Sequence, residues 1–360
     1  MLISKDLLGE KKHFCDRANG FACRGIDILI VHCRYSPSRL SGWAVGEWHL
    51  AVRRIFKTFA QMADLLLLDG HNIVFRAFYG MRPLPRKDGF PVNAIYGWVK
   101  TIWHLQDLVR PQKIFAFFDK GKSTARLKIY PEYKANRTSM PEELRKQLPP
   151  IWEMTQAMGI GVVAMENVEA DDLLAAYATR QAANGVTVAV ASADKDFAQI
   201  VGNSIIQWIP TAASSQKSDW QPMDSGRIFK KWGIPPGAMV DFLSLVGDTA
   251  DNIGGMRGVG PKTAGQWLSR YGSIDGILAH ANELPARFRN QLLQDEKLLR
   301  RNQQLIRFDF SLDPLILKPP AQRLEDFHRL LSKYELPSLL QASLERDGSI
   351  CQALLSLEEC

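Results

Sequence analysis

From about residue 63 onward, the hydrophobic positions fall into an alternating pattern. A short apolar run the length of one buried strand is followed by a longer stretch with helical spacing. The short runs are Leu65–Leu68, Ile114–Phe118, Gly161–Ala164, Val186–Ala191 and Ile205–Ile209, and the long ones are Val92–Val109, Glu142–Met158 and Ala170–Ala183. Strands that are apolar on both faces and separated by helices predict a parallel sheet covered by helices on both sides, an α/β fold. The sheet-bearing part is expected over residues 62–221. After about residue 222 the strand signals stop. Helical patterns punctuated by Gly and Pro predict a smaller helical region over roughly 222–345, then a tail, 346–360. Neither internal repeats nor low-complexity tracts are visible.

Residues 1–61 break this pattern. Pieces such as Ile28–Val31 alternate with isolated Arg, Cys and Trp, without a sustained period. Met62 is the expected natural start and the preceding segment an extension, the alternative being a dispensable accessory segment.

Charge changes the picture less than its total suggests. The chain of 360 residues carries a net +7. Residues 1–61 hold 10 Lys and Arg against 5 Asp and Glu, leaving 35 basic and 33 acidic groups for the rest. A nucleic-acid surface in the body must therefore be a local patch, not a global field. No apolar run approaches the roughly 18 residues of a transmembrane helix, and no signal-peptide block follows Lys11 and Lys12. A cytoplasmic protein without membrane contact is expected. The five cysteines, Cys15, Cys23, Cys33, Cys351 and Cys360, match no zinc spacing and read as incidental thiols.

The acidic residues carry the chemistry. Asp69 follows the first strand, Asp119 the second, and Asp194 and Asp196 the fourth. Ligands of open parallel sheets collect beyond the carboxyl ends of the strands, so three strands deliver four acids to one crevice. Glu169 and Asp172, with Asp171 beside them, and Asp248 and Asp251 add two groups at i, i+3 spacing, expected on helix faces. Any one acid taken alone is more often a helix cap or a solvated charge. Nine with the same bias point to cations held among them, because like charges this close repel. Oxygen-only ligands favour Mg²⁺, with Mn²⁺ as a substitute. Two such ions about 3.5–4 Å apart are the usual apparatus for in-line hydrolysis of a phosphodiester.

A basic segment lies between the second and third strands. Lys120, Lys122, Arg126, Lys128, Lys134 and Arg137 are interleaved with Tyr130 and Tyr133. Cations for phosphates and rings for unpaired bases suit single-strand capture, against the blander alternative of a solvated charged face. Gly121-Lys122-Ser123 is not a phosphate-binding P-loop, because Ala116 stands where its first Gly is needed. Downstream, Gly254-Gly-Met-Arg-Gly-Val-Gly-Pro-Lys-Thr-Ala-Gly265 joins two helical stretches. Gly258 and Gly260 let a phosphate approach the backbone, with Lys262 and Thr263 adding contacts, so a helix–hairpin–helix over about 247–270 gripping duplex backbone is expected.

Taken together, Leu67-Leu-Asp-Gly-His-Asn72, Phe117-Phe-Asp119, Tyr133-Lys-Ala-Asn-Arg137, Glu169-Ala-Asp-Asp172, Ala193-Asp-Lys-Asp196 and Gly247-Asp-Thr-Ala-Asp-Asn252 resemble the 5′-nuclease domain of bacterial DNA polymerase I and its stand-alone flap-endonuclease relatives. The resemblance runs from about Met62 to about residue 330. It implies a PIN-like 5′-nuclease core, a helical arch at about 120–150 that passes the 5′ strand, and the helix–hairpin–helix on the duplex. It implies that Asp69, Asp119, Glu169, Asp171, Asp172, Asp194, Asp196, Asp248 and Asp251 hold metal ions. Lys134 and Arg137 would face the scissile phosphate and act with Asp69 and Asp119 in catalysis. Arg126, Lys128 and Tyr133 join these two and the hairpin residues as DNA contacts. K⁺ at the hairpin, a monomeric nuclease associated with the nucleoid, and a DNA polymerase acting in trans are further implications. Gly254-Gly255 departs from the Ile-Pro-Gly more usual there. The activity implied is Mg²⁺-dependent 5′-3′ exonuclease and 5′ flap endonuclease action on DNA. A non-catalytic binder of branched DNA and a PIN-like ribonuclease are the alternatives.

Overall fold

The computed structural model describes residues 63–121, 123–211, 220–312 and 315–358, so the expectations for residues 1–61, Lys122 and Cys360 lie outside the described residues. The described residues from 63 onward form one compact unit. Its centre is a six-stranded sheet in the order β3-β2-β1-β4-β5-β6. The strands are β1 (Leu65–Asp69), β2 (Lys113–Phe117), β3 (Gly161–Val163), β4 (Val188–Ala191), β5 (Ile205–Pro210) and β6 (Trp220–Met223). The first five run parallel, and β6 joins β5 antiparallel. The expected parallel sheet is therefore present, with an antiparallel sixth strand added at its edge. Strand β6 is four residues long and carries Pro222, which an edge strand tolerates, so it left no strand signal.

The leucines of β1 show why the sheet is buried on both sides. Leu66 and Leu68 share one core with Ile114, Ala116, Ala189 and Ala191, while Leu65 and Leu67 share another with Phe115, Phe117, Val188 and Val190. On the first face pack α1 (Gly70–Gly80), α2 (Asn93–Val109) and α5 (Leu148–Ala157); on the second packs α6 (Ala170–Ala183). Burying each leucine contributes about 1.5–3 kcal/mol, so alternation along the strand fixes its register. The stretch 142–158 forms two helices, α4 (Glu142–Arg145) and α5, and not the single expected one. Pro149 and Pro150 sit in the first turn of α5, where prolines without N–H are accommodated and an incoming helix must stop. Among the described residues between 121 and 141, α3 (Thr124–Ile129) is the helical stretch, and turns follow it.

Beyond the sheet come α7 (Ser225–Trp232), α8 (Met239–Val246), a two-residue pair β7 (Gly247–Asp248) and β8 (Ile253–Gly254), α9 (Pro261–Tyr271), α10 (Ile274–Ala279), α11 (Ala286–Gln294) and α12 (Glu296–Ile306). These helices share a third core, to which Tyr133 and Ala198 also belong. The last two helices, α13 (Leu324–Lys333) and α14 (Pro337–Glu358), do not extend this region. Phe327, Leu330, Leu331 and Leu339 pack into the first face of the sheet. Helix α14 also replaces the expected tail over residues 346–358.

Candidate metal centre and nucleic-acid interface

Each acid is positioned by the end of an element. Asp69 closes β1 and caps α1, accepting from the Asn72 N–H at 3.3 Å, and Ser192 Oγ donates to its other oxygen at 2.6 Å. Asp119 follows β2 and accepts from the Ala170 N–H at 2.8 Å, which ties it to the start of α6. Its other oxygen lies 3.3 Å from His71 Nδ1. Asp194 caps the 3₁₀ turn Lys195–Ile200, which contains Asp196. Gly70 is required where β1 turns into α1. A Cβ there would stand 2.6 Å from the Phe117 carbonyl oxygen.

The two expected helix-face groups are built differently. Glu169 stands at the N-cap of α6 with extended backbone, and only Asp171 and Asp172 are in its first turn. Asp248 and Asp251 are not helical neighbours on one face. Helix α8 stops at Val246, Gly247 takes φ 86°, Asp248 ends β7, and Asp251 lies in the 3₁₀ turn Thr249–Asp251. The turn still brings them together. One carboxylate oxygen each from Glu169, Asp171 and Asp172 lies within 4.8 Å of the others, and the same holds for Asp196, Asp248 and Asp251. Tyr133 bridges the two triads, its hydroxyl reaching Glu169 Oε2 at 3.2 Å and Asp251 Oδ2 at 3.0 Å.

The electrostatics join all nine acids. Burial, with Asp194 and Asp119 nearby, pushes the Asp69 carboxyl up to about 6. Burial and Glu169 push Asp171 well above the usual carboxylate range; burial and Asp194 do the same to Asp196, with Asp248 and Asp251 adding to it. Asp119 goes the other way. Burial opposes its charge, but the contact with His71 and the Ala170 N–H hold it below its usual value. Lys134 feels Asp171, Glu169 and Asp251, which together outweigh its burial and raise its pKa. Asp196 Oδ1 is buried without a hydrogen bond, its nearest cation being Lys195 Nζ at 3.7 Å. An orphaned carboxylate oxygen among like charges, in a set made only of oxygen donors, fits a divalent cation such as Mg²⁺ or Mn²⁺.

The basic segment corrects two expected DNA contacts. Arg126 is buried. Its fork grips Asp172 through Nη2–Oδ1 at 2.8 Å and through Nη1, which also meets Glu169 at 2.6 Å, while Nε donates to the Leu305 carbonyl at 2.8 Å. Burial alone would lower its pKa, but the pairing with Asp172 and Glu169 raises it, so this guanidinium is a fixed countercharge. Asp172 in turn accepts from Arg126 and from the Asp309 N–H, while one of its oxygens still lies within 4.8 Å of those of Glu169 and Asp171. Tyr133 is likewise buried, with no face free for a base. Lys134 and Arg137 lie on the acids themselves, Lys134 Nζ 2.7 Å from Glu169 and Arg137 Nη2 2.5 Å from Asp251. Asn136 and Asn252 strap this segment to the Asp248–Asn252 turn through 2.6 Å and 2.8 Å bonds to backbone carbonyls. Lys128 is exposed on α3.

At the hairpin, Gly258 has φ 79° and Gly260 caps α9, whose first turn carries Pro261, exposed Lys262 and half-buried Thr263. The second helix of the motif begins at Pro261, whose fixed φ suits a first turn. Ser192, His71 and Lys195 were not singled out by sequence. Ser192 Oγ donates to Asp69, the Asp119 N–H donates to His71 Nδ1, and Lys195 Nζ lies 2.6 Å from Asp248. Their only signal was position: His71 and Lys195 lie inside acidic motifs, and Ser192 directly follows β4.

Comparisons with known proteins agree with this layout. Residues 64–233 match the family model of the 5′-3′ exonuclease N-terminal resolvase-like domain, and residues 234–324 that of the 5′-3′ exonuclease C-terminal SAM fold. The chain therefore belongs to the 5′-3′ exonuclease family. It is 34% identical over 281 residues to a 5′-3′ exonuclease of Aquifex aeolicus, covering 78% of this chain and 95% of that one. It is 36% identical over 270 residues to DNA polymerase I of Rhizobium leguminosarum, covering 71% of this chain but spanning only 26% of the polymerase. Among solved structures, bacteriophage T5 5′-exonuclease with divalent metal ions (zinc) bound superposes with a TM-score of 0.56 at 22% identity, over 78% of this chain and 98% of that one. The catalytic core of Rad2 in complex with DNA substrate gives 0.50 at 16% identity, over 76% and 88%. At these identities the structural likeness concerns the fold.

Proposed function

We propose that this chain is a Mg²⁺-dependent 5′-3′ exonuclease and structure-specific 5′ flap endonuclease acting on DNA. The observation that carries this reading is the pair of acidic triads, Glu169/Asp171/Asp172 and Asp196/Asp248/Asp251, bridged by Tyr133, with Asp69, Asp119 and Asp194 at the strand ends coupled to each other and to Asp196 by charge. Two divalent ions bound among these acids would supply a water of lowered pKa and countercharge for the leaving 3′-oxygen. Asp69, Asp119, Asp171, Asp194 and Asp196, with Glu169, Asp248 and Asp251, would hold them. Ser192 holds the Asp69 carboxylate and the Ala170 N–H that of Asp119, whose own N–H donates to His71 Nδ1, and Arg126 fixes Asp172 and Glu169, so the pocket is organised before substrate arrives.

Lys134 and Arg137 stand at the mouth of this pocket. In leaving the carboxylates for a scissile phosphate they would exchange one anion for another and hold it in place for attack. Gly258, Gly260, Lys262 and Thr263 would grip the duplex beside it by backbone phosphates. Support for DNA as substrate comes from the DNA complexes solved for the T5 flap endonuclease and for the Rad2 core. The test is cleavage of a 5′-labelled flap with and without Mg²⁺. Wild type should release product only with the ion, and Asp194→Ala should cut more than about 100-fold slower, the upper end for residues that merely orient a ligand. A wild type no faster than Asp194→Ala sinks the reading.

A further inference from the structure

The duplex grip proposed above rests on the hairpin alone, yet a second basic element touches that hairpin. Helix α11 is anchored through Phe288, which packs edge-on against Trp267 of α9 with ring centroids 5.2 Å apart. Its ring also lies against the hairpin turn, because a Cβ on Gly258 would sit 3.7 Å from Phe288 Cε1. Between turn and helix is a cavity of about 350 Å³ lined by Arg257, Gly258, Arg287, Phe288 and Gln291.

The charges here differ from those that face the acidic pocket and from several on neighbouring helices. Arg126, Lys134, Arg137, Lys195, Arg270 and Arg300 all stand within ion-pair distance of a carboxylate. Neither Arg257 nor Arg287 has such a partner among the described residues, and both are exposed. Arg287 is not loose: its guanidinium lies 4.4 Å from the centroid of the Phe288 ring, which holds the fork beside the cavity. Two exposed guanidinium groups facing one polar cavity without a carboxylate have an incomplete charge balance, and a phosphodiester supplies the missing anion in fork geometry.

We propose that α11 is a second element of the duplex-binding surface, with Arg287 and Arg257 holding a backbone phosphate next to those held by the hairpin. It depends on the duplex-binding part of the proposed function. The contact reads no bases, so its effect is on affinity and salt dependence, not on sequence preference.

The test is fluorescence anisotropy of a labelled duplex with the full chain in EDTA, where nothing is cut, over a series of salt concentrations. Each phosphate contact contributes about 0.9 to the slope of log K against log salt. Arg287→Gln should flatten the slope by about 1 and weaken binding several-fold, while Arg287→Lys retains most of the slope. Flap cleavage by Arg287→Gln should show a raised KM and an unchanged kcat. An Arg287→Gln protein with wild-type slope and affinity, beside a Lys262→Ala protein that loses both, overturns the role of α11 and leaves the hairpin reading standing. A wild type without duplex affinity overturns both.

Discussion

Asp69 lies where burial and negative neighbours act on one carboxyl. A carboxyl moved from 3.8 to about 6 holds its proton more tightly in the folded chain than in the unfolded one. Its contribution to stability is therefore full at low pH and declines as pH rises from about 4 through about 6, by about 3 kcal/mol once ionisation is complete. Asp171 and Asp196 push in the same direction. In EDTA, the stability difference between Asp69→Asn and wild type should grow in favour of the variant over this pH window, measured by denaturant unfolding, and Mg²⁺ should close the gap. A difference independent of pH would contradict the burial of this acid among like charges. At this scale the sequence announced the acids, because each sits at an element end. It did not announce that Arg126 and Tyr133 are internal partners. The acids that claim Arg126 are 43 and 46 residues away, and no local spacing reveals which of two basic residues folds inward.

Among the elements, α6 matches its expected bounds, Ala170–Ala183, because an uninterrupted helical pattern meets a clean start and end. The Asp248–Asp251 segment is the counterexample. Its i, i+3 spacing suggested a helix face, but Gly247 adopts a backbone region open essentially to glycine, and the chain turns instead. The adjacent Gly254-Gly255 pair divides sharply. A Cβ at Gly255 would lie 2.3 Å from the Val246 carbonyl carbon, whereas at Gly254 nothing lies within 4 Å. Gly255→Ala should thus destabilise by more than about 1 kcal/mol, while Gly254→Ala, with no positive φ to lose, should be neutral or more stable by about 0.4–1 kcal/mol. Thermal unfolding of the two variants checks this, and equal effects would show that β7 and β8 do not approach as described. The departure at Gly254 from the usual Pro therefore falls on the position where the fold tolerates a side chain.

Across the whole molecule, the alternation of strand and helix made the sheet legible. The return of α13 and α14 to that sheet was not legible. An amphipathic helix states that it buries a face but not which surface receives it. Nor did net charge locate function. Cations near the centre are paired with acids, while Arg257, Lys262 and Arg287 have no carboxylate within ion-pair distance among the described residues. Among the described residues no helix is long and apolar enough to cross a membrane. The proposed nuclease chemistry depends on the two acidic triads and the strand-end acids beside them binding metal together, and Mn²⁺ binding followed by electron paramagnetic resonance addresses it without requiring turnover. Wild type should bind Mn²⁺ in a form that Mg²⁺ displaces, and Asp69→Asn and Asp194→Asn, changed on different strands, should each weaken it by at least about tenfold. A wild type that leaves Mn²⁺ free in solution, or two variants that bind it as wild type does, would contradict a common metal centre.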